Sequence, residues 1–416
     1  MRSTVNGLGI AFGVAVGAFV ALVGGGGLAA QTVPPAAPLT LEEALSIAVA
    51  NNKTIAAARL QRPVDEAGVN VARERPNPDV LYEAARDTPH QAITASFPLE
   101  LGGKRGARTA AAEAVVATGE AELNQLIATV RDDVRRTYIE LAGAERRVAI
   151  AREVADLFTR ARDAAHARAL AGDAPRRDDV AAQVDWFGAQ NDVIAAQGEV
   201  DAIGASLDVL LGRPPSSALS LATTLEPVPV PTLEGALART AQVNTDVAVI
   251  DRRIAEQTAR IGVARALQMP DLTAGAGVTF GSQPDYSVGW RASADIAIPL
   301  FTRHRAGVVV ETSALTKLHA DREALLADIG GAVSAALSRA ASAATRYATY
   351  QRDILPLSQQ DEAFAQDAYQ SGQTGLDALI LALQRARDRR LAGLQAALDF
   401  HLALADLERA ITGPIR

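Results

Sequence analysis

The sequence contains no cysteine among its 416 residues. Disulfides, thiolate metal sites and a lipid-modified N-terminal cysteine are therefore excluded. Methionine is limited to two residues, so the chain carries no relay of soft metal ligands. The five histidines, His90, His166, His304, His319 and His401, form no metal-ligand spacing with one another, and His401 reads as a packed helix residue. No set of side chains suggests catalysis, a cofactor or a resident metal. An excess of positive charge is also missing. Lys and Arg number 41 against 48 Asp and Glu, for a net charge of −7, and the basic residues are scattered along helices. Nucleic acid is not an expected partner. Past the N-terminus no stretch of about 18 unbroken apolar residues occurs, so no further membrane helix is expected.

The N-terminus reads as a secretory signal over residues 1–30. Arg2 supplies the positive charge, residues 8–23 the apolar run, and Gly27-Leu28-Ala29-Ala30 a small-residue end suited to cleavage after Ala29 or Ala30. The competing reading is a transmembrane anchor, but Gly24 to Gly27 would break the span. A proline-rich leader follows over 31–38.

Residues 104–170 hold no proline and are rich in Ala, Glu, Arg and Leu. Ile127, Val134, Leu141 and Val148 lie seven apart, beside a seam of Leu123, Val130, Ala144 and Ala151. That spacing keeps one stripe against a partner helix. A helix of this length is roughly 100 Å long at ~1.5 Å per residue, a reach or a wall rather than a domain core. Gly172 and Pro175 mark a turn, and a returning helix with Val193, Val200 and Leu207 seven apart runs to Leu211.

The chain then repeats. Thr232-Leu233-Glu234-Gly235-Ala236-Leu237 echoes Thr40-Leu41-Glu42-Glu43-Ala44-Leu45; Asn244 echoes Asn52, Pro270-Asp271 echoes Pro78-Asp79, and Gly372 and Gly413 echo Gly172 and Gly212. Each module reads as short helices, a β-hairpin and a long helical hairpin. Thr40 with Glu43 forms a capping box, and Pro63 is expected to kink the second short helix. The second long helix is expected over 305–371, interrupted at Gly330-Gly331 and Pro356, and the last over 377–411. The resulting division is 31–78 leader and short helices, 79–101 first β-hairpin, 102–211 first helical hairpin, 212–231 linker, 232–270 short helices, 271–300 second β-hairpin, 301–412 second helical hairpin and 413–416 tail.

The hairpins are recognised by alternation. Tyr286, Val288, Trp290 and Ile296 share one face of the last strand; Arg291 and Asp295 share the other. Nine to thirteen alternating residues suit a tilted strand crossing a bilayer, though a soluble sandwich strand with one wet face alternates in the same way. Four strands cannot close a barrel, and an open edge in lipid leaves backbone groups unpaired. Three copies would give twelve strands. The first set would then be lipid-facing, with Tyr286 and Trp290 meeting lipid or its interface, and Arg291 and Asp295 lumen-facing.

Residues Leu39 to Leu45 with Asn51-Asn52, Tyr369-Gln370-Ser371-Gly372, and the closing stretch 397–410, in this order and duplicated, make the chain resemble the TolC-like outer-membrane efflux channels over nearly its whole mature length. Residues 99–106, Leu-Glu-Leu-Gly-Gly-Lys-Arg-Gly, resemble the cobalt–zinc–cadmium resistance branch. The resemblance implies a mainly α fold with a small transmembrane β part, in a homotrimer whose 12-strand β-barrel is continued by a periplasmic α-helical barrel. The implied role is the passive exit duct of a tripartite system, set in outer-membrane lipid, with a periplasmic membrane-fusion adaptor and a proton-driven inner-membrane RND-type pump. Its substrate would be divalent heavy-metal cations. A drug-efflux or type I secretion duct is the alternative within the fold, and a periplasmic coiled-coil scaffold without a pore the alternative outside it. Adaptor docking would use Gly172, Arg176, Arg177 and Asp178 at one hairpin tip and Gly372, Gln373 and Gly375 at the other. Two positions that are often acidic in the family's aperture hold Ala378 and Leu381 here, so closure is expected from Asp377, Leu379 or Leu381.

Overall fold

Thr40 begins the first helix as expected. Its hydroxyl accepts the Glu43 amide at 3.2 Å while the Glu43 carboxylate accepts the Thr40 amide at 2.9 Å, a reciprocal cap that pairs two otherwise orphaned donors. The computed structural model describes residues 38–215, 219–222, 225–226, 228–282 and 286–413, so the expected signal, its cleavage site and the leader to Ala37 lie outside the described residues. From there the elements run α1 (Leu41–Asn51), α2 (Lys53–Arg59), α3 (Gln61–Arg73), β1 (Asp79–Ala84), β2 (Gln91–Leu99), α4 (Lys104–Ala171) and α5 (Arg176–Leu210). The second set is α6 (Leu233–Val243), α7 (Thr245–Ala266), β3 (Asp271–Ser282), β4 (Tyr286–Ala297), α8 (Arg305–Thr349), a π-helical turn (Tyr350–Ile354), α9 (Leu355–Gln370) and α10 (Leu376–Ile411).

The two hairpins join into one antiparallel sheet in the order β1-β2-β3-β4. Helix α4 is continuous over 68 residues and packs along α5, α7 and α10, while α8 packs along α7 and α10. The expected seam is buried where it meets them, with Val134, Leu141 and Val148 at 0, 1 and 6% exposure. Close approach of α4 and α10 depends on Gly143, because a methyl group there would run into the Leu398 side chain.

The repeat has a shared joint at the two asparagines. Asn52 Oδ1 accepts the amides of Thr54 and Ile55 at 2.9 and 3.1 Å, and its Nδ2 donates to the Leu210 carbonyl at 2.9 Å. Asn244 does the same with Asp246, Val247 and the Ala410 carbonyl. In each module one amide side chain starts a short helix and ties it to the end of the returning helix. Replacing Asn52 by Ala leaves two amides and a carbonyl without these partners, and should cost about 3 kcal/mol. Urea unfolding of the purified variant checks this; an unchanged midpoint would refute the joint.

Two local expectations are corrected. The short-helix break falls at Leu60, and Pro63 lies in the first turn of α3, where a missing amide hydrogen costs no helical bond. Gly330-Gly331 do not interrupt α8. Two glycines cost about 2 kcal/mol relative to alanines, too little to stop a helix anchored by buried Val333, Ala336 and Ala340. The second break does occur, as a π-helical turn just before Pro356. Widening the helix there accommodates a residue that cannot donate and whose ring crowds the carbonyl four residues back. One window within Arg305–Gln370 reaches mean hydropathy 1.2, which by length and composition alone does not make a membrane span. Part of that helix's buried face is alanine: Ala336, Ala340 and Ala343.

Candidate functional site

Strand register sorts the sheet residues into two sets of rows. Tyr82, Ile93, Val278 and Trp290 lie side by side across all four strands, with Leu99, Leu272 and Ile296 in a second apolar row. Trp290 is 85% exposed, and Val288 and Ile296 are also exposed. The Tyr286 side chain lies outside the described set. The opposite rows are polar or small except at Leu81 on the edge strand: Asp79, Ser96, Gly275 and Ser293; Leu81, Thr94, Gly277 and Arg291; Thr273 with Asp295.

The sheet rolls toward that polar face. Arg291 Nη1 on β4 reaches Glu83 Oε2 on β1 at 3.1 Å, three strand spacings away across the sheet. At ~4.8 Å per strand, flat edges would stand about 14 Å apart, beyond the combined reach of the two side chains. Gly277 lies between them in the ladder. A β-carbon there would collide with the Ile93 carbonyl and come within 2.9 Å of Thr94 Cα. Thr94 and Thr279 are accordingly buried on the inside of the curl. The apolar rows form its outside, and among the described residues neither edge strand has an outer neighbour.

Strand passes to helix through left-handed backbone. Gly102 and Gly103 have φ of 69° and 71° before α4, and His304 has φ of 49° before α8. A side chain at Gly102 would strike Met269, and Lys104, 8% exposed, holds Asp271 at 2.7 Å. Residues 99–106 thus form a joint between β2, α4 and the start of β3.

At the far end the two helical hairpins turn alike. Gly172 and Gly372 have φ of 82° and 76° and close matching turns. Arg168 spans the two tips, donating to the Tyr369 carbonyl at 3.2 Å with its guanidinium 5.0 Å from the Tyr369 ring centre. Arg176, Arg177, Gln373 and Gly375 are exposed, and Asp178 is half-buried. Asp377 and Leu381 are exposed on one face of α10, whereas Leu379, 4% exposed, packs into the chain's own core.

Sequence reasoning missed a charge cluster between α4 and α10. Arg135 holds Glu408 at 2.6 Å and Asp132 at 3.3 Å. Burial pushes the Asp132 carboxyl up to about 6, against the opposing pull of Arg135 and Arg409. The folded chain therefore retains a proton that the unfolded chain releases near pH 4. Its contribution to stability falls as pH rises from about 4 through about 6. Asp132→Asn should raise the melting temperature at pH 7.5 and give no gain at pH 4; an equal gain at both would contradict this. Among the described residues no group of three or more His, Asp or Glu could hold a metal ion.

Residues 44–213 match the family model described as "Outer membrane efflux protein". The chain is 28% identical over 276 residues to the cobalt-zinc-cadmium resistance protein CzcC of Cupriavidus metallidurans, covering 66% of each. It is 26% identical over 343 residues to the nickel-cobalt-cadmium resistance protein NccC of Alcaligenes xylosoxydans, covering 79% of this chain and 75% of the relative. Its fold superposes on the crystal structure of CusC with a TM-score of 0.73 at 18% identity, over 90% of this chain and 92% of that one. A curled sheet with an apolar outside, set at one end of long helical hairpins, is thus the fold this chain shares with the CusC structure, and its first module carries the match to the outer membrane efflux protein family.

Proposed function

We propose that this chain works as a homotrimer, the passive exit duct of a tripartite heavy-metal efflux system, receiving divalent cations from a proton-driven RND-type pump through a periplasmic adaptor. The observation that carries the trimer is the open, curled sheet. Its unpaired edges are intolerable in hydrocarbon, and three copies pairing β4 with a neighbour's β1 remove every edge in a twelve-stranded barrel. Trp290, Val288, Ile296 and Tyr286 then face lipid, and Arg291 and Asp295 the lumen. Exposed Val180, Val184, Phe187 and Ile194 on α5, with Leu357 and Phe364 on α9, supply apolar stripes for neighbouring staves.

The adaptor meets the tips at Gly172, Arg176, Arg177, Asp178, Gly372, Gln373 and Gly375. Closure falls to Asp377 and Leu381, since Leu379 is committed to the core. The metal substrate rests on the likeness to CzcC and NccC. Deleting the gene should sensitise the host to zinc, cobalt or cadmium, with rescue by the plasmid-borne gene. Unchanged metal tolerance with lost drug tolerance would overturn the metal reading and favour a drug-efflux duct.

A further inference from the structure

The apolar outside of the sheet does not stop where the strands end. Beyond β4 the chain continues through Ile298, Leu300 and Phe301, which are 67, 62 and 100% exposed. Among the described residues nothing covers Phe301. Immediately past it Arg303 and Arg305 are exposed, and Arg105 is exposed at the equivalent position after β2. Apolar residues followed within a few positions by cations thus recur at both strand-to-helix joints.

The cations at this end are in excess. Lys104 with Asp271, Arg108 with Glu100, and Arg73 with Glu113 neutralise one another. The exposed remainder is Arg75, Arg105, Arg303 and Arg305 against Glu74 and Asp79. Asp295 lies near this end but belongs to the inner, polar rows. A chain of net charge −7 therefore carries a local positive surplus, bordering its apolar sheet face. No cysteine is available for an acyl anchor.

We infer that these joints form a collar that binds anionic phospholipid of the leaflet on the helical side, Phe301 and Leu300 entering the acyl region and Arg105, Arg303 and Arg305 holding headgroup phosphates. The occupant follows from continuity with the lipid-facing sheet and from charge complementarity. The inference rests on the channel reading above. Three chains would repeat the collar around the barrel.

Native mass spectrometry of the full-length channel, released from detergent containing equimolar phosphatidylglycerol and phosphatidylcholine, tests it. The wild type should retain the anionic lipid in preference, by about fivefold or more. The preference should collapse when salt is raised from about 0.1 to about 1 M, as screening shortens from about 10 to about 3 Å. Arg105→Gln with Arg303→Gln and Arg305→Gln should bring the ratio near one without changing oligomeric state or conductance. Phe301→Ser should lower retention of both lipids. Equal retention of the two lipids by the wild type, or an unchanged ratio in the triple variant, overturns the collar. Absence of wild-type conductance in planar bilayers would instead defeat the channel reading.

Discussion

Trp290→Arg should abolish assembly of the channel in the outer membrane. Trp290 stands midway along β4, at the outer end of the row that includes Tyr82, Ile93 and Val278, and is 85% exposed in the isolated chain. A cation on the lipid face of a barrel costs about 2–4 kcal/mol near the midplane and little near the interface. Three copies bring the penalty to about 6–12 kcal/mol, comparable with the whole stability of an ordinary domain. Ile296→Arg, closer to the helical end of the strand, should do less harm. Ser287→Arg, on the same strand but the opposite face, should assemble. Unheated gel electrophoresis of outer-membrane fractions separates the cases. Normal assembly of Trp290→Arg would reverse the assignment of faces.

Gly277→Val should be nearly as damaging, for a different reason. Its side chain would occupy space held by the Ile93 carbonyl and the Thr94 backbone, neither of which can swing aside as a flexible side chain would. It would also block the path by which Arg291 reaches Glu83. Overpacking of this kind costs about 1–3 kcal/mol or more per chain, and it opposes the curvature a closed barrel needs. The expected result is loss of conducting oligomer with helical circular dichroism retained. Gly188→Ala is the matched control, because nothing lies within 4 Å of a β-carbon there; it should stabilise α5 by up to about 1 kcal/mol. Wild-type conductance from Gly277→Val would contradict the role given to the curl.

Large periodic features were legible in the sequence, and features made by distant pairs were not. The extent of α4 could be read because seven-residue spacing and the absence of proline persist until Gly172. The strand faces could be read because alternation assigns each side chain independently of its partners. The direction of curl could not, since it depends on Gly277 meeting Thr94 and on an ion pair between residues 208 apart. Residues 99–106 resembled a branch signature, and their structural work became visible only when Met269 and Asp271 were placed against Gly102 and Lys104. Counting along α10 from Gly372 gave candidate aperture residues but not their faces. Leu379 turns inward because α4 and α5 offer it a core, while Leu381 turns out. The Asp132, Arg135 and Glu408 cluster joins the first module to the last helix, and no local pattern announces it.

The most direct test of the central claim is the mass and conductance of the full-length protein extracted from outer membranes in mild detergent. The twelve-stranded duct predicts a particle of three chains that opens aqueous conductance in planar bilayers. A protein that remains monomeric in detergent-free buffer and leaves the bilayer silent would contradict it.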